Sequence, residues 1–307
     1  MTKVLVATEK PFAKVAVDGI KKVIADAGFE LVLLEKYTSQ EDFVKAVADV
    51  DAVIIRSDLA TKEVIDAGKN LKIIVRAGAG YDNIDLAAAT AKGVVAMNTP
   101  GQNSNAVAEL AMGMMIYQAR NQFDGSSGTE IMGKTLGLHA YGFVPRFLAK
   151  IAKGLNMDIY AYDPYVAKDV MEKDGVKWVG TLDELYSKCQ YVSLHIPANA
   201  DTKKSINFNL LSKMPTGATL VNTARKEVID EESLIKMFTE RKDFRYVSDV
   251  EPDCKAALAE QFPGKFYLTP KKLGAQTEEA NINAGIAAAK QIVAFIKNGD
   301  KTFQVNK

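Results

Sequence analysis

The sequence predicts an α/β protein made of two doubly wound parallel-sheet domains joined by long linking helices. Three observations carry this prediction. Short apolar runs of strand length alternate with amphipathic runs of helix length along nearly the whole chain. The alternation falls into two series, separated by a helical stretch at residues 103–121 and a Gly/Ser loop at 124–128. The second series opens, between Thr135 and Pro164, as strand, tight glycine turn, helix, strand and acid.

In the first series, buried-strand candidates lie at 4–7, 31–34, 53–55, 73–75 and 94–97. Helical patterns fall between them at 11–27, 40–48, 61–67 and 86–92. The second series places strands at 136–140, 159–162, 177–179, 191–196, 219–222, 246–250 and 266–268, with a helix at 144–154 after the first. An Ala-rich helix at 278–297 and a last short strand at 303–305 close the chain. The two series read as two Rossmann-like domains, and a cleft between such sheets is a common place for a small ligand.

A chain of 307 residues suits two such domains. Its formal net charge of +1 comes without a basic excess or a long charge block, so nucleic acid is not an expected partner. No apolar run is long enough to span a bilayer. A strand begins almost at once, at 3–8, so no signal peptide is expected and a cytoplasmic location is. Cys189 and Cys254 have neither metal-ligand nor disulfide spacing; they read as reduced thiols, with no metal.

The glycine turn is the first chemical feature. Such a turn lets backbone N–H groups and a helix N-terminus meet a pyrophosphate. A full glycine fingerprint would place glycine at 140, 142 and 145, where this chain has Ala140, Gly142 and Pro145. A methyl at the strand end is a mild change. Proline is tolerable in the first helical turn, but it removes a donor and adds bulk. A dinucleotide site and an ordinary strand-turn-helix both remain open on this motif. Asp163, at the end of the second strand, is placed to hold two ribose hydroxyls, and its charge would repel a 2′-phosphate, favouring NAD over NADP.

Several tracts together resemble the NAD-dependent D-2-hydroxyacid dehydrogenase family: RAGAGYDNID from Arg76, NTPGQNSNAVAEL from Asn98, YDP from Tyr162, SLHIPANADTKKSIN from Ser193, VNTARKEVID from Val221 and TPKKLGAQTEEANIN from Thr269. The resemblance covers essentially the whole chain and is nearest to the short D-3-phosphoglycerate dehydrogenases that lack a C-terminal regulatory domain. It implies a substrate-binding domain from residues 1–100 plus 281–307 and an NAD-binding Rossmann domain from 101–280. It also implies a homodimer through the cofactor domain. The apolar helix 106–119, with Met112, Met114 and Met115, offers a surface for that, or else simple core packing.

Residue roles follow from the resemblance. Arg225, after the strand 219–222, would clamp the substrate carboxylate and polarise the keto oxygen, work that suits a planar, permanently charged guanidinium. Most of the family draws its proton donor from a histidine in a Thr-Pro-His segment, oriented by a glutamate. Here the segment reads Thr269-Pro270-Lys271-Lys272-Leu273-Gly274, and Cys254 stands where the glutamate would fall. Lysine can serve as acid/base. Counting from Gly274 makes Lys272 the counterpart, and counting from Pro270 makes it Lys271. Cofactor contacts would come from the turn Gly142, Phe143, Val144 and Arg146, from Asp163, and from His195, Pro197 and Thr202. Thr223, Ala224 and Asp249 would complete them. His195 also reads as a satisfied strand-end histidine, and His139 as a core one. Substrate contacts would come from Gly78, Ala79, Gly80 and Asn103, with Arg56 and Ser57 on a 3-phosphate; a solvated Arg-Ser-Asp turn is the plainer reading of the last pair.

Three functions are therefore in view. The first interconverts 3-phosphoglycerate and 3-phosphohydroxypyruvate with NAD, in serine biosynthesis. The second keeps the chemistry on glyoxylate or hydroxypyruvate. The third is a non-catalytic scaffold in which Phe143 and Phe147, four apart at the helix start, fill the pyrophosphate space.

Overall fold

The computed structural model describes residues 1–306, in two compact units. Unit 1 comprises Met1–Asn103 and the chain from Gln276 onward, and unit 2 is Ser104–Ala275.

Unit 1 runs β1 (Lys3–Thr8), α1 (Lys14–Asp26), β2 (Glu30–Glu35), α2 (Gln40–Val47), β3 (Ala52–Ile55), α3 (Lys62–Ala67), β4 (Ile73–Arg76), α4 (Leu86–Lys92) and β5 (Val95–Asn98). The five strands pair in the order β2-β1-β3-β4-β5, every pair parallel. Parallel neighbours need a crossover between them, and the crossover helices cover both faces. That is why β3 is buried at every residue, Ala52 to Ile55. Leu5, Val53, Ile55 and Ile74 pack on one side with Phe43, Val64 and Ile65; Val4, Val6, Ile54 and Val75 pack on the other with Ile20 and Ile24. Ser39, Thr61 and Asp85 cap α2, α3 and α4 by accepting first-turn N–H groups.

Unit 2 begins with α5 (Ser104–Ala119) and continues β6 (Thr135–His139), α6 (Phe143–Gly154), β7 (Asp158–Tyr162), α7 (Lys168–Lys173), β8 (Lys177–Trp178), α8 (Leu182–Lys188), β9 (Tyr191–Leu194), α9 (Phe208–Leu211), β10 (Thr219–Asn222), α10 (Glu231–Glu240), β11 (Arg245–Ser248), α11 (Lys255–Gln261) and β12 (Phe266–Leu268). Its seven strands are parallel in the order β12-β11-β10-β9-β6-β7-β8. The order reverses at β6, so the crevice between the carboxyl ends of β6 and β9 is the topological switch point. In unit 1 the same reversal falls between β1 and β3.

The chain returns to unit 1 as α12 (Glu278–Asn298). Here α12 crosses α1 closely, because a Cβ on Gly19 would lie 2.6 Å from Ile286 Cδ1 and one on Gly285 would lie 3.0 Å from Ile20 Cδ1.

Three sequence expectations change. The strand expected at 303–305 is a single antiparallel bridge, Met97 to Gln304; the holding contacts come from Asn306 instead. Its side chain accepts from Ala96 N at 2.7 Å and donates to Val94 O at 2.8 Å and Thr90 Oγ1 at 3.1 Å, closing the β5 edge. The helix expected to reach residue 121 stops at Ala119, because Asn121, Gln122 and Phe123 turn left-handed at φ 50°, 57° and 59°. Such a turn costs about 1–2 kcal/mol per residue. Gln122 Nε2 donating to Phe266 O at 2.7 Å and Phe123 packed edge-on to Tyr117 help to hold it. Finally, Met112, Met114 and Met115 are buried within unit 2 and form part of its core, not an outward face.

Asn306→Ala leaves a buried amide and carbonyl of the β5 edge unpaired. It is expected to cost about 2 kcal/mol of stability, read as a lowered denaturant midpoint; an unchanged midpoint would show that the bridge to Gln304 suffices.

Candidate active site

The turn after β6 is built as an anion seat. Gly142 is the N-cap of α6, with no side-chain cap and no acid in the first turn, so the positive helix end is uncompensated. A Cβ on Gly142 would meet nothing within 4 Å, so the space over the turn is open. Phe143 and Phe147 do not fill it: their side chains are 58% and 37% exposed. Pro145 is buried at the third helical position, where its missing N–H has no intrahelical partner to lose. Ala140 takes the cost, with φ 85°, a conformation for which glycine is the natural choice.

Asp163 faces this turn. One carboxylate oxygen accepts Tyr141 N at 2.7 Å, and the other accepts Tyr165 N at 2.8 Å. Each oxygen keeps a lone pair for a hydroxyl. Arg146 lies over the Tyr141 ring, 5.4 Å from its centre.

Both histidines of the chain sit at the switch point. His195 N donates to His139 O at 3.0 Å, joining the ends of β9 and β6. His139 is buried against Tyr186 Oη at 3.2 Å, and burial holds its pKa down at about 4, against a smaller opposing pull from Asp163. Burial, with His139 adding to it, pushes His195 down to about 3. The ring Nε2 of His195 and the hydroxyl of Thr223 are both enclosed and without a hydrogen-bond partner among the described residues. Buried polar atoms are ordinarily paired. Two orphans at the carboxyl edge, beside an open helix N-terminus, fit a polar ligand such as a dinucleotide.

Other assigned residues have local work. The Thr202 hydroxyl donates to Pro197 O at 2.5 Å and accepts Asn199 N at 2.9 Å, so it shapes its own loop. Ala224 N donates to Asn222 Oδ1, and Asn222 Nδ2 donates to Arg225 O; this turn presents an exposed Arg225 just beyond β10. Asp249 is 2% exposed, and its carboxylate accepts from Thr269, Leu273 and Gly274 of the lysine segment. Lys271 and Lys272 are both exposed. At Cys254, Glu231 accepts Asp253 N and Cys254 N at 2.8 and 2.7 Å, and burial, then Glu231, pushes the thiol up to about 12. A carboxylate does stand at this turn, but it is spent on backbone.

Unit 1 carries two arginines at its own switch point. Arg56 follows β3; its Nη1 donates to the carbonyls of Lys10 and Pro11 at 2.9 and 3.1 Å, and its Nη2 to Asn281 Oδ1 at 2.6 Å. Asp58, 5% exposed, accepts from Glu9 N, Tyr37 Oη and Arg56 N, tying three segments behind the arginine. Arg76 Nε donates to Arg56 O at 3.1 Å. The Arg76 guanidinium lies over Gly78, whose added Cβ would fall 1.4 Å from Nη1, and whose φ of 151° also favours glycine. Burial lowers the pKa of both arginines, and the charge of Arg56 lowers Arg76 further. Among the described residues the arginine–carboxylate ion pair is Arg241 with Asp243, so neither of these guanidinium groups has one. Ser57 and Ala79 are exposed, Gly80 and Asn103 half-buried. Asn98 Nδ2 holds Ala79 O at 2.6 Å. The side chains of Arg76, Asn281 and Asp58 were missed by the sequence reading. Arg76 stood in a quoted tract of which only the small residues were used, and Asn281 is 225 residues from Arg56.

The model for the D-isomer specific 2-hydroxyacid dehydrogenase catalytic domain matches residues 6–306. The chain belongs to this family. It is 35% identical over 309 residues to a D-3-phosphoglycerate dehydrogenase of Synechocystis, covering 95% of this chain and 54% of the relative. It is 35% identical over 280 residues to a hydroxypyruvate reductase of Thermotoga maritima, covering 86% and 90%. The chain spans about half the length of the curated D-3-phosphoglycerate dehydrogenases it matches. Among solved structures it is similar to the NAD+-bound 3-phosphoglycerate dehydrogenase of Entamoeba histolytica, at TM-score 0.85 and 48% identity, covering 100% and 99% of the two chains.

Two outcomes test the turn and the histidines. Ala140→Gly relieves the strained backbone and is expected to stabilise by roughly 0.5–1 kcal/mol, the strain released less the added unfolded-state freedom; a loss of stability would show that the methyl packs usefully. His139 is neutral when folded and takes a proton when unfolded below about pH 6.5. Its contribution is therefore complete above that value and is lost as pH falls toward 4, amounting by then to about 3 kcal/mol. His139→Asn should flatten this part of the acid-denaturation slope; an identical slope would exclude His139 as its source.

Proposed function

We propose that the protein is an NAD-dependent D-3-phosphoglycerate dehydrogenase, interconverting 3-phosphoglycerate and 3-phosphohydroxypyruvate as in serine biosynthesis. The observation that carries the substrate choice is the Arg56–Arg76 pair, two partly buried guanidinium groups without a carboxylate ion pair, Asp58 acting on Arg56 and Asp82 on Arg76 only from beyond ion-pair distance. Like charges held together in a partly dry place are costly, and a dianion repays that cost. Glyoxylate has no second anionic group to offer them.

NAD, when bound, would supply the acceptor for the hydride of carbon 2 of the hydroxy acid. The α6 N-terminus with Gly142 and Arg146 would seat its pyrophosphate, Asp163 its adenosine ribose, and His195 and Thr223 its nicotinamide half. Arg225 would hold the substrate carboxylate and the developing carbonyl oxygen. Lys271 or Lys272 would take the hydroxyl proton in oxidation and return it in reduction. Gly78, Ala79 and Gly80 would approach the carboxylate through backbone, with Asn103 nearby. Unit 1 would be the substrate-binding domain and unit 2 the cofactor domain.

The same reading includes a cytoplasmic homodimer. No helix among the described residues is long and apolar enough to cross a membrane. Phe123 and Met132, 66% and 58% exposed near the end of α5, replace the buried methionines as the motive for pairing through unit 2.

The test compares substrates and variants. The protein should oxidise 3-phosphoglycerate with NAD and prefer it to NADP, and should reduce glyoxylate and hydroxypyruvate less efficiently than the phosphorylated keto acid. Arg56→Ala and Arg76→Ala should each raise KM for 3-phosphoglycerate by about 10- to 100-fold, the worth of a charged hydrogen bond, and leave glyoxylate turnover nearly unchanged. Equal losses on both substrates would remove the phosphate role. Absence of NAD binding would remove the enzyme reading altogether.

A further inference from the structure

Asp249, directly after β11, accepts three hydrogen bonds, and all three donors belong to the segment that carries the lysines. Oδ1 takes Thr269 Oγ1 at 2.9 Å and Leu273 N at 2.6 Å; Oδ2 takes Gly274 N at 2.8 Å. Thr269 N also donates to Ser248 O at 3.0 Å, so the segment is tied at both ends to the same strand terminus. Lys271 and Lys272 lie between the tied points.

We propose that Asp249 is a positioning residue, setting the place of the lysine pair through the backbone of its loop. The proposal rests on the lysine reading given above. A buried carboxylate needs donors, and charge-assisted bonds to backbone N–H groups are short and strong. The usual family arrangement orients a histidine side chain with a glutamate. Here Cys254 stands at the glutamate position, and the carboxylate at that turn, Glu231, is bound to backbone. The three bonds from Asp249 fix the backbone of the loop on which both lysines stand. Gly274 belongs to the same device. A Cβ there would fall 2.9 Å from Asp249 Oδ2 and 3.1 Å from Val107 Cγ2, so only glycine lets the loop seat on the carboxylate.

With three acceptor positions filled, Asp249 has about one left for any other donor. Asp249 can therefore touch the cofactor as well, and residues of the loop itself separate positioning from cofactor contact. Asp249→Asn puts an amide N–H₂ against a backbone N–H and should unseat the loop. The expected result is a fall in kcat of about tenfold or more. Gly274→Ala, which alters no assigned cofactor contact, should repeat the kcat loss, with KM for 3-phosphoglycerate and Kd for NAD, followed by fluorescence of the single Trp178, within about twofold of the parent. Thr269→Val, removing one donor of three, should give a smaller loss of the same kind. A tenfold rise in the Kd for NAD in Gly274→Ala, whatever happens to kcat, would overturn the proposal. So would a kcat within about twofold of the parent in Asp249→Asn or Gly274→Ala. Where Asp249→Asn does not fold, the Gly274 and Thr269 variants decide by the same criteria. Failure of the lysine reading shows separately, as retained activity when both lysines are replaced by methionine.

Discussion

In a parallel sheet every strand runs the same way, so every strand must be followed by a crossover, and all the carboxyl ends collect on one edge. This constraint organises both units. In unit 1 it places Arg56 after β3 and Arg76 at the end of β4, close enough for one guanidinium to depress the other. In unit 2 it gathers the Gly142 turn, Asp163, His195, Thr223, Arg225 and Asp249 at the ends of β6, β7, β9, β10 and β11. Apart from Thr223 and Arg225, none of these groups is near the next in sequence. The sheet's direction alone makes them neighbours, and the reversal of strand order at β6 opens the crevice that a dinucleotide needs.

Each unit is also economical in its use of carboxylates. Asp58, Asp163, Glu231 and Asp249 each accept backbone N–H groups, and each fixes a loop that bears an assigned residue or its neighbour. Within unit 1, Arg56 and Arg76 stand without an ion pair, and within unit 2 Arg225 is exposed, while the carboxylates beside them are turned inward as structural anchors.

Much of the fold was legible because strand and helix periods differ sharply, and because a strand covered on both faces reads as an unbroken apolar run, as at Ala52–Ile55. The glycine turn and Asp163 were legible by their spacing. Other features were not. The segment at 303–305 is apolar enough for a strand but pairs through one bridge only, since Asn306 takes the ladder's place. Met112, Met114 and Met115 are apolar whether they face a partner or a core, and periodicity cannot tell the two apart. Asn281 meets Arg56 across 225 residues, a contact that no local pattern encodes. The task of Asp249 was hidden for a similar reason, because its partners are backbone N–H groups that every residue but proline possesses.

In the proposed reaction, proton transfer depends on a lysine rather than on either histidine. The most direct measurement is the pH dependence of turnover in both directions, for the parent and for Lys271→Met and Lys272→Met. His139 and His195 are held at about 4 and about 3 by burial, so neither should produce a limb near the ordinary histidine value of about 6.5. Lysine must be protonated to donate, so reduction should fail in the alkaline range while oxidation gains there, and one methionine variant should lose both. A limb near 6.5 with full activity in both variants would contradict the account and return the proton to a histidine.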